Sequence, residues 1–189
     1  MNTYSYFNEL IDSRLVDNIM RESFRRFAKI RHACNDERVP FDEMFGSKNQ
    51  SEILSKIIEK VASEQFTEAC GFDVINPTTD NEPDLLFTES ALPLEIKVTC
   101  GENWTGGTFS KRPADYLLVS WDKDSKRQAF VALVHLEKND WKPGGKNYYG
   151  TSFPKRSLYE ATQAGNAKVL VGALEETKRG HKLNRRLYL

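Results

Sequence analysis

Residues 82–100, which read EPDLLFTESALPLEIKVTC, decide the fold that this chain can adopt. Two apolar runs, DLLF and LEIKVT, flank a short polar segment, and that layout predicts a β-hairpin. Successive side chains of a strand point to opposite faces of a sheet. Every second residue of LEIKVT is therefore on a core face: Leu94, Ile96 and Val98. Glu95 and Lys97 share the opposite face, and their charges need an explanation.

Asp84 begins the first run of the hairpin, directly after a proline. A turn centred near residues 89 and 90 would place Asp84 opposite Glu95, and side chains in that relation have Cβ atoms about 5 Å apart. Two carboxylates at this separation repel each other unless positive charge lies between them. Lys97 can supply part of that charge, and a divalent cation such as Mg²⁺, which prefers oxygen ligands, can supply more. The pattern therefore predicts a carboxylate metal site with an ammonium group beside it.

This combination of groups suits the hydrolysis of phosphodiester bonds. Metal ions neutralise phosphate oxygens, generate hydroxide from bound water and stabilise the leaving oxygen. Lys97 would orient or deprotonate the attacking water, or stabilise the developing charge, and the sequence leaves these roles open. The alternative is a surface hairpin whose Glu95 and Lys97 only face water.

The hairpin belongs to a chain of 189 residues, which is enough for one domain with a substantial core. Helix-spaced apolar residues predict one helix over residues 7–31 and a second over about 51–68, which ends before Gly71. Strand-like runs follow: FDVI, DLLF, LEIKVT, DYLLVSW, AFVALVHL and KVLVGAL, with a short helix, SLYEATQAG, before the last. We predict a single domain, residues 1–189, of the α/β (α+β) class, with a central mixed β-sheet flanked by helices and a core at about residues 50–175. The first helix would cover one face of the sheet or form a dimer interface.

The hairpin carries a recognisable motif, PD followed by EIK, with the aspartate and the glutamate eleven positions apart. It resembles the PD-(D/E)xK motif of nucleases such as type II restriction endonucleases and Holliday-junction resolvases. The preceding helix and GFDVI resemble the start of that family's core, so the resemblance covers about residues 50–121. It implies a restriction-endonuclease-like core in which Asp84 and Glu95 bind Mg²⁺, with Mn²⁺ as a substitute. It also implies that the main-chain carbonyl of Ile96 joins the metal and that Lys97 is the catalytic lysine.

Many members of this family add an acid from the core helix. The candidates in the second predicted helix are Glu52, Glu59 and Glu64. For a metal ligand, Glu52 has the more suitable position along the helix, in its first turn. Glu64 lies on the more suitable face of the helix, close to the apolar stripe. We favour Glu52 as the additional metal ligand, and the alternative is that all three are surface charges of the helix.

Two glycine-containing segments are candidates for contacts with DNA. GENWTGGTFSKRPADY follows directly from the strand with the acids, and WKPGGKNYYGTSFPKR combines glycines, aromatic residues and basic residues. Backbone can approach a ligand closely at glycine, and hydroxyl and basic side chains can bind phosphates or base edges. The candidate DNA-binding residues are Thr105, Thr108, Ser110, Lys111, Arg112, Lys155 and Arg156. The alternative is that both segments only connect strands, with Trp104 and Phe109 packed inside.

The resemblance implies a Mg²⁺-dependent type II restriction endonuclease, with its cognate DNA methyltransferase as a separate protein. Because a double-strand break needs two active sites, we expect a homodimer that acts on a short site in double-stranded DNA. The alternatives among enzymes are a junction resolvase, a repair nuclease or a phage exonuclease. Outside enzymes, the alternative is a non-catalytic DNA-binding or interaction protein.

Composition sets the remaining expectations. The formal net charge is zero, but basic residues cluster within residues 21–31 and 178–186. These clusters suit either a cleft that binds phosphates or two solvated faces. Neither a membrane span nor a signal-peptide pattern is expected, and three widely spaced cysteines argue against a disulfide framework and a zinc ribbon. We therefore expect a cytoplasmic protein without a membrane association.

Overall fold

The computed structural model describes residues 3–38, 40–77, 82–106, 113–143, 151–178 and 180–188. Its helices are α1 (Thr3–Leu10), α2 (Ser13–Asp36), α3 (Phe41–Met44), α4 (Ser47–Cys70) and α5 (Lys155–Gln163), with a 3₁₀ helix at Lys138–Asp140. Its strands are β1 (Val74–Ile75), β2 (Leu85–Phe87), β3 (Leu92–Thr99), β4 (Asn103–Thr105), β5 (Ala114–Trp121), β6 (Gln128–Leu136), β7 (Lys142–Pro143), β8 (Thr151–Pro154), β9 (Ala167–Val171), β10 (Ala173–Thr177), β11 (Gly180–Asn184) and β12 (Arg186–Leu187).

The central sheet has the strand order β1-β2-β3-β5-β6-β12, and β9 also pairs with β6. Strands β3 and β5 are parallel, whereas the neighbouring pairs are antiparallel. Parallel neighbours need a connection of a dozen or more residues, and residues 100–113 provide it. The prediction of a mixed α/β fold with a central mixed sheet flanked by helices is therefore confirmed.

Each face of this sheet has its own hydrophobic core. The alternate residues Leu94 and Ile96 of β3 pack into one core together with apolar residues of α2 and α4. On the other face, Tyr116 of β5 packs with Trp104 and Phe153 in a second core. The predicted alternation of β3 is therefore correct, since Glu95 and Lys97 take no part in this core.

The predicted single helix over residues 7–31 is wrong in its bounds, because the chain forms two helices that are separated at Asp12. The Asp12 side chain accepts a hydrogen bond from the Leu15 amide at 2.7 Å and caps the N-terminus of α2. The apolar stripe of α2, which includes Ile19 and Phe27, is fully buried in the first core. This stripe covers the sheet within one chain, which is one of the two roles predicted for the first helix.

Other predicted elements were correct in type but not in extent. Helix α4 starts four residues earlier than predicted and ends at Cys70, directly before Gly71, whose φ of 73° is readily adopted by glycine. The run KVLVGAL forms two strands, β9 and β10, because Gly172 with φ 81° separates them. Strands β11 and β12, in the basic C-terminal segment, were not predicted. Within the described residues no helix combines the length and apolar character needed to span a bilayer.

Candidate active site

The hairpin of β2 and β3 fixes the position of the predicted acids. Leu85 pairs with Leu94 and Phe87 with Leu92, so the sum of paired residue numbers is constant along the ladder. One step beyond the last pair, this register brings Asp84 opposite Glu95. The predicted register is therefore correct, and it rests on the length of the turn and on the alternation of the two strands.

Asp84 directly precedes strand β2, and it contacts β3 through its side chain as well as its backbone. Its carboxylate oxygen Oδ2 accepts a hydrogen bond from the Ile96 amide at 2.8 Å, and its own amide donates to Glu95 Oε1 at 3.3 Å. In an antiparallel ladder the amide and the carbonyl of one residue point toward the same neighbour. The Ile96 carbonyl therefore also faces the side of β3 on which Asp84 lies, as the predicted metal ligand would have to.

Lys97 lies between the two carboxylates. Its ammonium nitrogen is 2.8 Å from Glu95 Oε2 and 3.6 Å from Asp84 Oδ2. Burial lowers the pKa of Lys97, but the charges of Asp84 and Glu95 outweigh that effect, so its pKa lies above the usual value. Lys97 is therefore a protonated cation in this arrangement, as the sequence pattern predicted for the group beside the acids.

Glu95 is almost completely buried, with 2% of its surface exposed. Burial is the main cause that raises its pKa, the nearby charge of Asp84 raises it further, and Lys97 lowers it; the resulting pKa is about 7. A hairpin whose acids only face water would not bury this carboxylate. The observation argues against the surface-hairpin alternative.

A third acid reaches the site from helix α4, and it is Glu59. Glu59 is 2% exposed, and it accepts hydrogen bonds from Lys56 Nζ at 2.7 Å and Ser55 Oγ at 3.1 Å. The Asn76 amide nitrogen lies 2.6 Å from the Asp84 carbonyl and 3.5 Å from Glu59 Oε2, so it connects these two residues. Burial raises the pKa of Glu59, and the charge of Asp84 raises it further, as expected when two carboxylates lie near each other.

The preference for Glu52 needs correction. The Glu52 side chain is 64% exposed, and its carboxylate lies 3.8 Å from Lys48 on the helix surface. Glu64 is 2.7 Å from Arg26 of α2. The structure therefore places only Glu59, of the three candidates, beside Asp84. Lys56 and Asn76 were not identified from the sequence, although Asn76 directly follows the strand-like run FDVI.

The donor chemistry of the site fits a hard divalent cation, since three carboxylates and a main-chain carbonyl are the ligands that Mg²⁺ prefers. Two of these carboxylates, Glu59 and Glu95, are buried and need positive charge nearby. Lys56 and Lys97 supply that charge in the present arrangement. Among the residues that the structure describes, no group of three or more His, Cys, Asp or Glu side chains is arranged to hold a metal ion. Because the Lys56 and Lys97 ammonium groups contact Glu59 and Glu95, both would have to move away from these carboxylates for a metal to bind there.

The two predicted DNA-binding segments meet in a small second sheet. Strand β4 pairs with β8, with Thr105 opposite Ser152. Lys155, at the start of α5, forms an ion pair with Glu102, and Arg156 lies 3.0 Å from Glu160. Trp104 is fully buried and donates a hydrogen bond to the Val119 carbonyl at 2.9 Å, as expected for the packed alternative. The predicted contacts Thr108, Ser110, Lys111 and Arg112 lie outside the described residues.

Several arginines of the two basic clusters are engaged within the protein. In the C-terminal cluster, the Arg185 guanidinium donates to Ser120 Oγ at 2.8 Å, and Arg186 is 3.2 Å from Asp17. In the first cluster, Arg25 and Arg26 both bind Glu22. These arginines stabilise contacts between elements, and their number is not by itself a measure of phosphate binding.

Comparisons with family models, with curated proteins and with solved structures gave no match. No relative therefore assigns a role to these residues.

Proposed function

We propose that this protein is a divalent-metal-dependent nuclease that hydrolyses phosphodiester bonds of DNA, and that it acts as a type II restriction endonuclease. One observation carries the proposal. Asp84 and Glu95 lie opposite each other in the hairpin, the Lys97 ammonium lies between them, and the buried acid Glu59 approaches Asp84 from the neighbouring helix. Burying carboxylates costs several kcal/mol unless positive charge compensates them. A site that binds a metal and a phosphate would explain why these carboxylates are buried together.

Asp84, Glu95, Glu59 and the Ile96 carbonyl would hold Mg²⁺. When bound, the metal supplies Lewis-acid activation of phosphate and a water of lowered pKa. The hydrogen bond from the Ile96 amide holds the Asp84 carboxylate at the edge of the sheet, and Asn76 holds the backbone of the same residue. These contacts fix the first acid before any ligand arrives, which reduces the reorganisation that binding requires.

In this proposal the Lys97 ammonium group occupies one position without substrate and another when metal and substrate are bound. Without substrate it neutralises Glu95 and Asp84. With those acids engaged by a metal, its ammonium would be released toward the attacking water or the phosphate. A protonated lysine stabilises developing negative charge directly, and this role agrees with the raised pKa of Lys97. Deprotonation of water by Lys97 would first require its own proton to leave.

Double-stranded DNA is the proposed substrate, and a homodimer is the proposed active form. Thr105, Lys155 and Arg156 would contact DNA from the sheet of β4 and β8, which begins four residues after β3 ends. Lys155 and Arg156 would exchange their partners Glu102 and Glu160 for phosphates. A separate DNA methyltransferase would protect the host sequence.

The test is cleavage of a long DNA of known sequence in Mg²⁺, with the wild type, Lys97→Ala and the control Lys123→Ala, whose side chain is exposed in the β5–β6 turn. Discrete bands that disappear in EDTA and in Lys97→Ala, but persist in Lys123→Ala, are the expected result. A smear dependent on Lys97 would favour another nuclease of the superfamily, to be tried on junction and flap substrates. Wild-type protein that is folded by circular dichroism and cleaves none of these DNAs in Mg²⁺ or Mn²⁺ would refute the enzymatic proposal. The EDTA comparison uses the wild type, so it holds even if Lys97→Ala misfolds.

A further inference from the structure

The long helices α2 and α4 leave an open groove between them, formed by residues 25–30 of α2 and residues 52–60 of α4. Its volume is about 670 Å³, which accommodates several side chains of a ligand. Its floor is apolar: Ile30 is 40% exposed, and Ile53 and Ile57 are half-buried. The exposed parts of these isoleucines offer a small apolar contact surface to another molecule.

The walls of the groove are strongly basic. Its cationic lining residues are Arg25, Arg26, Lys29, Lys56 and Lys60, and the only acid in the lining is Glu52. Arg25 and Arg26 share Glu22, and Lys60 is 3.8 Å from Glu64. Within the described part of the chain, Lys29 forms no ion pair and its side chain is exposed. Four of the five cations thus pair with acids beside the groove, mostly at its exposed surface, and Lys29 adds a charge that no ion pair among the described residues compensates.

We propose that this groove binds an acidic amphipathic helix of a partner protein, with apolar side chains on the isoleucines and carboxylates on the basic edges. A helix that presents apolar residues at positions i, i+4 and i+7 can place one stripe on such a floor while acids on both flanks face the lysines. The complementary charges steer the partner and fix its register.

Two other occupants fit the groove less well. In a twofold dimer through this groove the same surface meets itself, so the five cations would approach their own copies. Duplex DNA needs hydrogen-bond donors for its phosphates, and the isoleucine floor offers none, so the apolar part of the groove would contribute nothing to DNA binding. An acidic peptide with apolar residues uses both the floor and the edges.

Lys56 connects the groove with the acidic site. It lines the groove, and its ammonium nitrogen is 2.7 Å from Glu59 Oε2. A carboxylate of the bound helix would therefore compete with Glu59 for Lys56. The binding itself does not depend on the nuclease proposal, since it requires only the groove.

The test measures the affinity of a synthetic helical peptide of about 15 residues, long enough to form a stable helix on binding. The peptide carries leucines at i, i+4 and i+7 positions and glutamates on both flanks, and a second peptide has glutamines in place of every glutamate. Binding to the full-length protein is followed by fluorescence anisotropy. The matched variants are Lys29→Glu with Lys60→Glu, in the groove, and Lys123→Glu with Lys138→Glu, which are exposed elsewhere.

The expected result is binding of the glutamate peptide that weakens at least about tenfold in the groove variant, a change of about 1.4 kcal/mol, and stays unchanged in the control variant. The glutamine peptide should bind at least about tenfold more weakly than the glutamate peptide. Absence of binding at about 1 mM peptide, or equal binding to both variants, would overturn the proposal. So would displacement of the peptide by a duplex oligonucleotide that itself requires Lys29 and Lys60, or self-association of the wild type that the groove variant abolishes.

Discussion

Replacing Glu95 with glutamine should change how the stability of the protein depends on pH. The pKa of Glu95 is raised from 4.5 to about 7, mainly by burial. The folded state therefore holds this proton more tightly than the unfolded state does. Its contribution to stability is fully present below about pH 4.5 and is lost as the pH rises through 7. Above that pH the folded protein carries a buried carboxylate that glutamine would not carry.

The expected size follows from the shift in pKa. One pKa unit corresponds to about 1.4 kcal/mol, so a shift from 4.5 to about 7 corresponds to about 3 kcal/mol. Lys97 loses a partner in Glu95→Gln, which lowers stability at every pH. Because Lys97 is protonated in both states between pH 5 and pH 8, this loss does not alter the slope. Part of this contribution is already lost at pH 5, so the free energy of unfolding of the variant, relative to wild type, should rise by about 2–3 kcal/mol from pH 5 to pH 8.

The assay is urea denaturation at pH 5, 6, 7 and 8 in EDTA, followed by the fluorescence of the buried residues Trp104, Trp121 and Trp141. For a chain of this length the same effect amounts to about 4–12 °C in Tm. Glu89→Gln is the matched control, because Glu89 is an exposed acid in the turn of the same hairpin, and its pH profile should run parallel to wild type. Parallel profiles for Glu95→Gln and wild type would refute the electrostatic account of the site. Adding Mg²⁺ at pH 8 should stabilise the wild type and not Glu95→Gln.

Three further changes test other parts of the structure. Glu59→Gln should weaken Mg²⁺ binding in calorimetry at least about tenfold, whereas Glu52→Gln, on the exposed part of the same helix, should leave it unchanged. Phe87→Ala should reduce the free energy of unfolding by about 3–5 kcal/mol in urea denaturation, because Phe87 is fully buried at the centre of an aromatic cluster; a loss below about 1 kcal/mol would contradict that packing. Gly172→Ala should cost about 1–3 kcal/mol in the same assay, since φ is 81° there and a Cβ atom would lie 2.3 Å from the Asn184 carbonyl oxygen; a neutral result would mean that the β9–β10 junction is placed wrongly.

The hairpin was predictable because all the information for it is local. The alternation of LEIKVT fixes which residues face the core, and the short turn fixes the register that brings Asp84 opposite Glu95. A local signal also existed for the break between α1 and α2, where Asp12 caps the Leu15 amide. The regular apolar spacing on both sides of Asp12 nevertheless predicted one continuous helix, since both helices place their apolar residues in the same core.

Pairing between distant short strands is a different case. Strands β4 and β8 have three and four residues, and nearly fifty residues separate them in the chain. Segments this short carry little strand propensity, and nothing in either one specifies its partner. The pairing follows from burial of Trp104 and Phe153 in the second core. Only the assembled core shows that the two glycine-containing segments are neighbours.

The choice between Glu52 and Glu59 shows where sequence reasoning stops. Seven residues turn an α-helix by nearly two full turns, so these two acids lie on almost the same face, about 10 Å apart along the axis. Periodicity cannot separate them, because it reports the face of a helix and not its axial position. That position is set by how α4 packs against β1 and β3, where Ser63 Oγ donates to the Val74 carbonyl at 2.6 Å. This contact joins α4 to β1 four residues after Glu59, and Asn76, two residues after Val74, contacts both Glu59 and the Asp84 carbonyl. Glu52 lies two turns earlier in the helix, and its side chain is exposed.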